Sequence, residues 1–350
     1  MDIGYEMRRV AVAFAFVVAA GIGAASAQTP NAPNVPNGPS TPGTPKIWFG
    51  MGAISSDAGH HSWETLYYQR DPQWPPALTR VTVMGLLTQA LVKIPDADLA
   101  RVVAELKRRH IALGVEMLAQ AYTLPGMTAP AGCGGGVEGY YPPEQTAALA
   151  ARIRRAGGQL DYIAMDEPLW FGHYYTGPHA CRSSIEDVAA RVAANLREYQ
   201  KLFPNVVIGD IEPFPSITDE PQWSADYQHW REAFRRAVGE PVAFLSADLN
   251  WGQTSWPRSL VAAADFAHHA DLPFGVIYNA APSTAATTNQ AWLDAAVRNA
   301  AYIERDLHVS PDWITFTSWD RYPGHAVTDQ YGRGEDYVLT QYLKQHDAGR

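Results

Sequence analysis

The stretches LDYIAMDEP (residues 160–168) and NVVIGDIEP (residues 205–213) decide the fold. Each is a short apolar run that ends in an acidic residue followed by proline, a pattern typical of a buried β-strand that stops at a turn. Between them, an apolar stripe runs from Ile185 to Tyr199 at helical spacing. A strand, a helix and a second strand in this order predict a crossover unit with two parallel strands.

The same alternation of strand and helix extends over most of the chain. Short apolar runs predict strands over residues 47–53, 80–86, 111–118, 160–165, 205–211, 242–247, 274–278 and 313–318. Most of these runs are separated by an amphipathic helical pattern. Repeated strand–helix units in a chain of about 300 residues predict a single α/β domain, a (β/α)8 TIM barrel. We expect this domain to span residues 46–350.

The first unit departs from this pattern. Residues 54–79 are rich in His, Trp, Pro and Asp and show at best one short helix. A doubly wound open sheet is therefore the alternative architecture. However, no glycine-rich phosphate loop follows the first predicted strand, as it does in the dinucleotide-binding members of that class.

The N-terminal residues predict export. Arg8 and Arg9 precede an apolar run over residues 10–22, and Ala25-Ser-Ala27 supplies the small-residue pattern of a signal-peptidase site. We therefore expect a signal peptide over residues 1–27, with a secreted or periplasmic protein and no membrane association after cleavage. A retained N-terminal anchor is the alternative. Prolines at every third position then predict an extended linker over residues 28–45.

Composition limits the partners that this chain can bind. The net charge is −9 and no block is rich in lysine and arginine, which disfavours nucleic acid and anionic membranes. Cys133 and Cys181 are the only cysteines, and in an oxidising compartment they predict a disulfide, with two free thiols as the alternative. We expect a monomer that needs no cofactor.

Acidic residues gather at the predicted strand ends, where (β/α)8 barrels place their active sites. Glu116 ends the third strand, Glu167 the fourth, Asp210 and Glu212 the fifth, and Asp248 the sixth. From the two-residue period of a strand, we expect these side chains to point into the barrel. Carboxylates that converge in a cleft raise one another's pKa, which keeps a general acid protonated near neutral pH. The sequence therefore predicts a functional acidic site.

Two spots carry a resemblance to a known group of enzymes. Asp166-Glu167-Pro168 resembles the Asn-Glu-Pro motif at the fourth strand of clan A glycoside hydrolases, whose Glu is the acid/base. Trp319, near the end of the eighth strand, resembles the Trp that those enzymes place under the sugar ring. Asp166 replaces the Asn, and the seventh strand, Val276-Ile-Tyr-Asn279, lacks the family's nucleophilic Glu. The resemblance implies a (β/α)8-barrel glycosidase that uses another second carboxylate.

The carboxylates and the resemblance together predict hydrolysis of a poly- or oligosaccharide. We expect Glu167 to be the general acid and Glu212 to be the second catalytic carboxylate, with Asp248 and Asp210 next in line. Aromatic faces beside polar groups suit sugar rings. Contacts to substrate are therefore expected from Asp166, Asp210, Glu116, Trp170, Trp251, Tyr278, Asn279 and Trp319.

Two other functions fit the same residues. The side chains of Glu116, Glu167, Glu212 and Asp248, joined by those of His60 and His61, are of types that bind Mg²⁺ or Mn²⁺. This set predicts a metal-dependent sugar-processing barrel instead. The missing Glu on the seventh strand favours the other alternative, a barrel that binds polysaccharide without catalysis.

Overall fold

A computed structural model describes residues 45–51, 62–69, 72–122, 124, 127, 130, 132–280, 288–319, 321–329 and 332–347. Its strands are β1 (Lys46–Met51), β2 (Val83–Leu87), β3 (Ala112–Met117), β4 (Tyr162–Asp166), β5 (Val207–Phe214), β6 (Leu245–Leu249), β7 (Phe274–Ile277) and β8 (Trp313–Phe316). Its α-helices are α1 (Thr88–Lys93), α2 (Asp96–Arg109), α3 (Pro143–Arg155), α4 (Ile185–Gln200), α5 (Trp223–Val238), α6 (Trp256–His269), α7 (Asn289–Arg305) and α8 (Asp336–Asp347). The predicted signal peptide (1–27) and nearly all of the predicted linker (28–45) lie outside the described residues.

The strands β1 to β8 form one closed parallel barrel in sequence order, and β8 pairs with β1 to close it. Every predicted strand overlaps an observed one, so the (β/α)8 prediction is confirmed. On β4, Ala164 lies beside Glu116 of β3 on one side and Gly209 of β5 on the other. The C-terminal ends of all strands therefore meet at one mouth of the barrel.

Amphipathic helices cover the outside of the barrel, as the apolar stripes predict. The helix α4 begins after Ser184, whose hydroxyl oxygen accepts a hydrogen bond from the N–H of Asp187 at 3.1 Å. Its buried face consists of residues such as Val188, Val192 and Leu196, none of which is exposed to solvent. No helix in the described ranges is both long enough and apolar enough to cross a bilayer.

The first unit lacks an α-helix of ordinary length in the described residues between β1 and β2. A π-helical segment (Glu64–Tyr68) and a 3-10 turn (Pro76–Arg80) take its place. Trp63 and Leu66 are buried in the outer core, and the indole N–H of Trp74 donates to the carbonyl of Leu66 at 2.8 Å. Large aromatic side chains therefore cover this side of the barrel where the helical pattern is weak.

The interior of the barrel has its own apolar core. It consists of Trp48, Val83, Tyr162, Ala164, Ile211, Phe244, Ile277 and Trp313. Glycines on neighbouring strands leave room for the large rings, because a Cβ at Gly114 would overlap Trp48 and one at Gly209 would overlap Phe244. These residues mark the inward face of each strand, and strand alternation then fixes where the residues beyond them point.

The predicted disulfide between Cys133 and Cys181 is present in the structure, with a Cα–Cα distance of 4.9 Å. It joins the loop after β3 to the loop after β4, and Tyr140 and Phe171 pack against it. Both loops follow C-terminal strand ends. The disulfide therefore connects two loops on the side of the barrel where the carboxylates lie.

Candidate active site

Three carboxylates continue the inward faces of their strands at the C-terminal mouth. Glu116 follows Gly114 on β3, Asp166 follows Ala164 on β4, and Asp248 follows Ser246 on β6. All three residues keep partial exposure to solvent, although their carboxyl groups are largely buried. The inward direction expected for Glu116 and Asp248 agrees with this placement, and the carboxylates are accessible to a ligand from the mouth.

Asp210 points away from the mouth, so the prediction that it faces into the barrel is wrong. The residue after it, Ile211, belongs to the inner core, whereas Ile208 belongs to the outer core, and alternation turns Asp210 outward. Its Oδ2 accepts hydrogen bonds from the indole N–H of Trp230 at 2.8 Å and the hydroxyl of Tyr227 at 3.1 Å. Asp210 is fully buried and joins β5 to α5, so it is not placed to contact a substrate.

Glu212 also faces the outer layer, and its predicted inward direction is wrong for the same reason. Its Oε1 accepts the N–H of Leu169 at 2.8 Å, and its Oε2 accepts the N–H of Trp170 at 3.1 Å. These residues begin the helical segment after β4, which continues as a π-helix (Trp170–Tyr174). A carboxylate at the start of a helix satisfies N–H groups that have no partner within it. Glu212 therefore holds the turn that follows Glu167.

Glu167 lies at the turn where β4 ends, and this turn sets its direction. Its φ of 47° lies in the left-handed region, which is uncommon for a residue with a side chain. The backbone is held on both sides, because its N–H donates to the carbonyl of Ile211 and its carbonyl accepts the N–H of Phe171, each at 3.0 Å. The side chain is 8% exposed and lies close enough to Asp248 and Asp166 for their charges to act on it.

The carboxyl groups at the mouth hold protons more strongly than ordinary carboxyl groups. Burial, followed by the charges of Asp248 and Asp166, raises the pKa of Glu167 well above its usual value. Burial and the charge of Glu138 raise the pKa of Asp248 to about 7. Burial and the charge of Asp248 raise the pKa of Glu116 to about 8. Coupled groups of this kind hold protonated and ionised carboxyls side by side near neutral pH.

Glu138 completes this group, which we call the mouth cluster (Glu116, Glu138, Asp166, Glu167 and Asp248). It lies in the loop after β3, where partial burial raises its own pKa. Its charge also contributes to the raised pKa values of the other members. The strand periodicity missed Glu138 because a loop has no period. Its place soon after Cys133, in a loop fixed by the disulfide, was the available signal.

Two of the predicted tryptophans border the mouth. Trp319 lies two residues beyond the inward-facing Thr317, and its side chain is 50% exposed, which is unusual for a tryptophan that only packs a core. Trp251 follows β6 and donates its indole N–H to the amide oxygen of Asn279 at 2.6 Å. Asn279 therefore fixes the ring of Trp251 next to the end of β6.

The remaining predicted aromatic contacts, Tyr278 and Trp170, pack against other residues of the protein. Tyr278 is fully buried in the outer core, where its hydroxyl donates to Glu304 at 2.8 Å and its ring packs near Phe316. Alternation on β7 thus turns Tyr278 toward the helices. Trp170 is half-buried, and its ring lies 6.2 Å from that of Tyr174 in the same π-helix.

A narrow cavity of about 30 Å³ adjoins the mouth cluster inside the barrel. Its polar lining comes from Glu116, Ser246, Thr315 and Thr317. The hydroxyl of Thr317 is buried, with the residue 1% exposed, and has no hydrogen-bond partner among the described residues. This hydroxyl is thus available to a polar group that enters from the mouth.

A much larger cavity, of about 1060 Å³, lies at the opposite end of the barrel. Residues at the N-terminal ends of strands line it, including Lys46, Thr82 and Ala112. Active sites of (β/α)8 enzymes lie at the other face. The mouth cluster, rather than the larger cavity, is therefore the candidate site.

The predicted metal site has no support within the described ranges. Among the described side chains, no group of three or more His, Cys, Asp or Glu is arranged to hold a metal ion. Glu212, one of the four predicted acidic ligands, accepts two backbone N–H groups in the outer layer. His60 and His61, the other predicted ligands, lie outside the described residues.

Comparison with known proteins bears on the fold. No protein-family model matches the sequence, and no curated protein matches it. A GH53 catalytic domain from Ignisphaera aggregans superposes with a TM-score of 0.53 at 10% identity, covering 88% of this chain and 98% of that chain. For GH10 from Paenibacillus barcinonensis, the TM-score is 0.49 at 10% identity, covering 86% of this chain and 95% of that chain. For native xylanase 10B from Thermotoga maritima, the TM-score is 0.47 at 14% identity, covering 87% of this chain and 96% of that chain. At such low identity, the GH53 superposition shows a shared (β/α)8 fold.

Proposed function

We propose that the protein is a glycoside hydrolase that acts on a poly- or oligosaccharide at the mouth cluster. In this proposal, Glu167 is the general acid and Asp248 is the second catalytic carboxylate. The observation that carries the proposal is their proximity: among neighbouring charges, that of Asp248 acts most strongly on Glu167. Asp248 replaces Glu212 in this role because Glu212 faces the outer layer.

Hydrolysis of a glycoside requires two carboxyl groups in different protonation states. One must deliver a proton to the leaving oxygen, while the other must be ionised to attack the anomeric carbon or to deprotonate water. Burial and the charge of Glu138 raise the pKa of Asp248 to about 7, and burial and the charge of Asp248 raise that of Glu167 well above its usual value. In the proposal, Asp248 is the ionised partner, and its negative charge helps Glu167 to keep its proton. A protonated and an ionised carboxyl group side by side can serve as acid and base.

Other residues at the mouth are suited to hold a sugar. The half-exposed ring of Trp319 offers a flat apolar face, and Trp251 is fixed by Asn279. Glu116 and Asp166 add hydrogen-bonding groups on the inward faces of β3 and β4. The shared fold with a GH53 catalytic domain supports the same reaction class, because glycoside hydrolases use this barrel.

The proposal includes export to the periplasm or the cell exterior. It rests on the N-terminal sequence and on the disulfide between Cys133 and Cys181, because disulfides persist in oxidising compartments. N-terminal sequencing of protein recovered outside the cytoplasm tests it. The expected first residue is Gln28, and an unprocessed chain starting at Met1 would contradict the predicted cleavage.

The catalytic proposal is tested by incubating the purified protein with a panel of polysaccharides and measuring new reducing ends. Glu167→Gln and Asp248→Asn should each lower kcat by about 10²–10⁴-fold, the usual contribution of a catalytic carboxyl group. Glu240→Gln and Asp265→Asn serve as matched controls, because both residues are exposed and lie outside the mouth. Full activity in Glu167→Gln would contradict the assignment of the acid.

A non-catalytic polysaccharide-binding barrel is the second candidate. The observation that favours it concerns Asn279, which follows the end of β7. Its amide oxygen accepts a hydrogen bond from the indole N–H of Trp251. This function predicts glycan binding without release of reducing ends from any substrate of the panel. Binding by both the wild type and Glu167→Gln, with turnover by neither, would establish it.

A further inference from the structure

We infer that the glycan at the mouth cluster carries positive charge, as an amino-sugar polymer with free amino groups does. This inference rests on the proposed function and names the class of its substrate. It follows from the charges that the barrel collects at its mouth and from the partners that these charges lack.

The mouth cluster has no basic partner in the described part of the chain. Burial and the charges of other carboxylates act on Glu116, Asp166 and Glu167, and no lysine, arginine or histidine offsets them. The ion pairs of the described residues lie elsewhere, as between Arg109 and Glu105 on α2. Ionising a buried carboxyl group without compensation is costly, which is why these groups hold their protons. A ligand that supplies positive charge lets them ionise and form ion pairs with it, which favours its binding.

The unpartnered hydroxyl of Thr317 independently indicates a polar ligand. It is buried in the cavity that Glu116 also lines, and it forms no hydrogen bond. A buried hydroxyl without a partner costs free energy that an entering donor or acceptor recovers. An ammonium group brings several N–H donors on one compact centre, which suits a carboxylate and a hydroxyl that border the same cavity.

The arrangement of the carboxylates favours a polymer over a single metal ion. They come from β3, β4, β6 and the loop after β3, and within the described residues no three acidic, His or Cys side chains converge on one point. Separate negative charges match a chain whose positive charges are spaced one per sugar. The same charges repel a polymer of uronic acids, and the overall charge of −9 adds to that repulsion.

The test uses Glu167→Gln, so that substrate is bound but not cleaved, and measures affinity by calorimetry. The probes are glucosamine oligomers with free amino groups and their fully N-acetylated counterparts of the same linkage and length. We expect the free-amine form to bind about tenfold or more tightly, the scale of one charge-assisted hydrogen bond. Adding Glu138→Gln should reduce this preference, whereas adding Glu240→Gln, a matched change at an exposed site between α5 and β6, should not.

Equal or tighter binding of the N-acetylated form would overturn the inference, and so would failure of both probes to bind. The proposed function is judged separately, by the activity of the wild type on the polysaccharide panel. Cleavage of neutral glycans without a preference for free amines would support the proposed hydrolase and contradict the inference that its substrate is positively charged. Tight binding of free-amine oligomers without cleavage of any glycan would support a positively charged ligand and contradict the hydrolase.

Discussion

The mouth cluster and the β5 pair (Asp210 and Glu212) contain the same residue types on neighbouring strands, yet they have opposite surroundings. In the β5 pair, each carboxylate accepts two hydrogen bonds from the layer around the barrel. In the mouth cluster, carboxylates lie next to other carboxylates and to a cavity. A carboxylate that holds neighbouring elements through two hydrogen bonds supports the fold, whereas one that faces a cavity is available to a ligand.

The largest expected effect separates the two regions by activity. Asp248→Asn should lower kcat by about 10³-fold, because it removes the ionised group that the proposed reaction needs. Asp210→Asn is the same chemical change on the outer face of β5. Its amide oxygen can still accept the hydrogen bond from the indole N–H of Trp230. We therefore expect it to lower kcat by less than about tenfold, a change of about 1.4 kcal/mol in the barrier. Steady-state kinetics on the substrate found in the panel measure both variants, and equal losses would erase the distinction.

The next effect separates the regions by stability. Asp210→Ala leaves the buried indole N–H of Trp230 and hydroxyl of Tyr227 without their acceptor. The free energy of unfolding should fall by about 2–4 kcal/mol, because each buried donor left unpaired costs on the order of 1–3 kcal/mol. Urea unfolding followed by tryptophan fluorescence measures this change.

Asp248→Ala is the matched truncation at the mouth for this experiment. It removes a hydrogen bond from the backbone of Leu249 but none from another side chain. The expected change in the free energy of unfolding is therefore smaller, about 1 kcal/mol, the usual contribution of one hydrogen bond. If Asp248→Ala were as destabilising as Asp210→Ala, the mouth would have to be regarded as structural.

A smaller effect concerns Glu212, which belongs to the β5 pair but holds the turn next to Glu167, the proposed general acid. Glu212→Gln keeps one acceptor for the N–H groups of Leu169 and Trp170 and presents an amide donor in place of the other. Stability should fall by about 1 kcal/mol, because the new amide donor cannot accept from the second of these N–H groups. Because the same turn holds Glu167, kcat should fall while KM stays constant. A rise in KM alone would indicate that Glu212 contacts substrate.

The strands and the disulfide could be predicted from the sequence, but the direction of the strand-end carboxylates could not be predicted from the acidic residues alone. On β5, the prediction placed Asp210 and Glu212 inward. The glycines held the correct signal: Gly209 on β5 and Gly114 on β3 make room for large rings and so mark the inward face. Counting from Gly114 turns Glu116 inward, and counting from Gly209 turns Asp210 outward.

Two other features of the site lay beyond strand periodicity. Glu167 itself adopts a left-handed backbone conformation at the end of β4, and sequence alternation does not extend through such a turn. Glu138 comes from a loop whose path depends on the disulfide and on packing against Tyr140. Both directions are set by tertiary contacts, which a single sequence does not contain.

The smallest expected effect concerns how the mouth responds to pH. Burial raises the pKa of Asp248 from 3.8 to about 7, so the folded protein binds its proton more tightly than the unfolded chain does. Such a group stabilises the folded state fully below its unfolded pKa, and this contribution is lost as pH rises through the folded pKa. Asp248→Asn cannot ionise, so it should gain stability relative to wild type between about pH 4 and pH 7 and retain that gain above this range.

Thermal unfolding across this pH range tests the difference in melting temperature between Asp248→Asn and wild type. The full rise in pKa from 3.8 to about 7 would correspond to about 4 kcal/mol, and solvent around this partly exposed residue reduces it to the order of 1 kcal/mol. The difference should be close to zero near about pH 4 and reach about 1–4 °C near about pH 8. Asp210 also has a pKa raised to about 7, but its hydrogen bonds to Tyr227 and Trp230 oppose the shift. Asp210→Ala should therefore melt below wild type at every pH. A gain for Asp248→Asn that is present at low pH and absent at high pH would contradict the raised pKa. If the protein becomes more stable when the charge of Asp248 is removed, that charge serves a ligand rather than the fold.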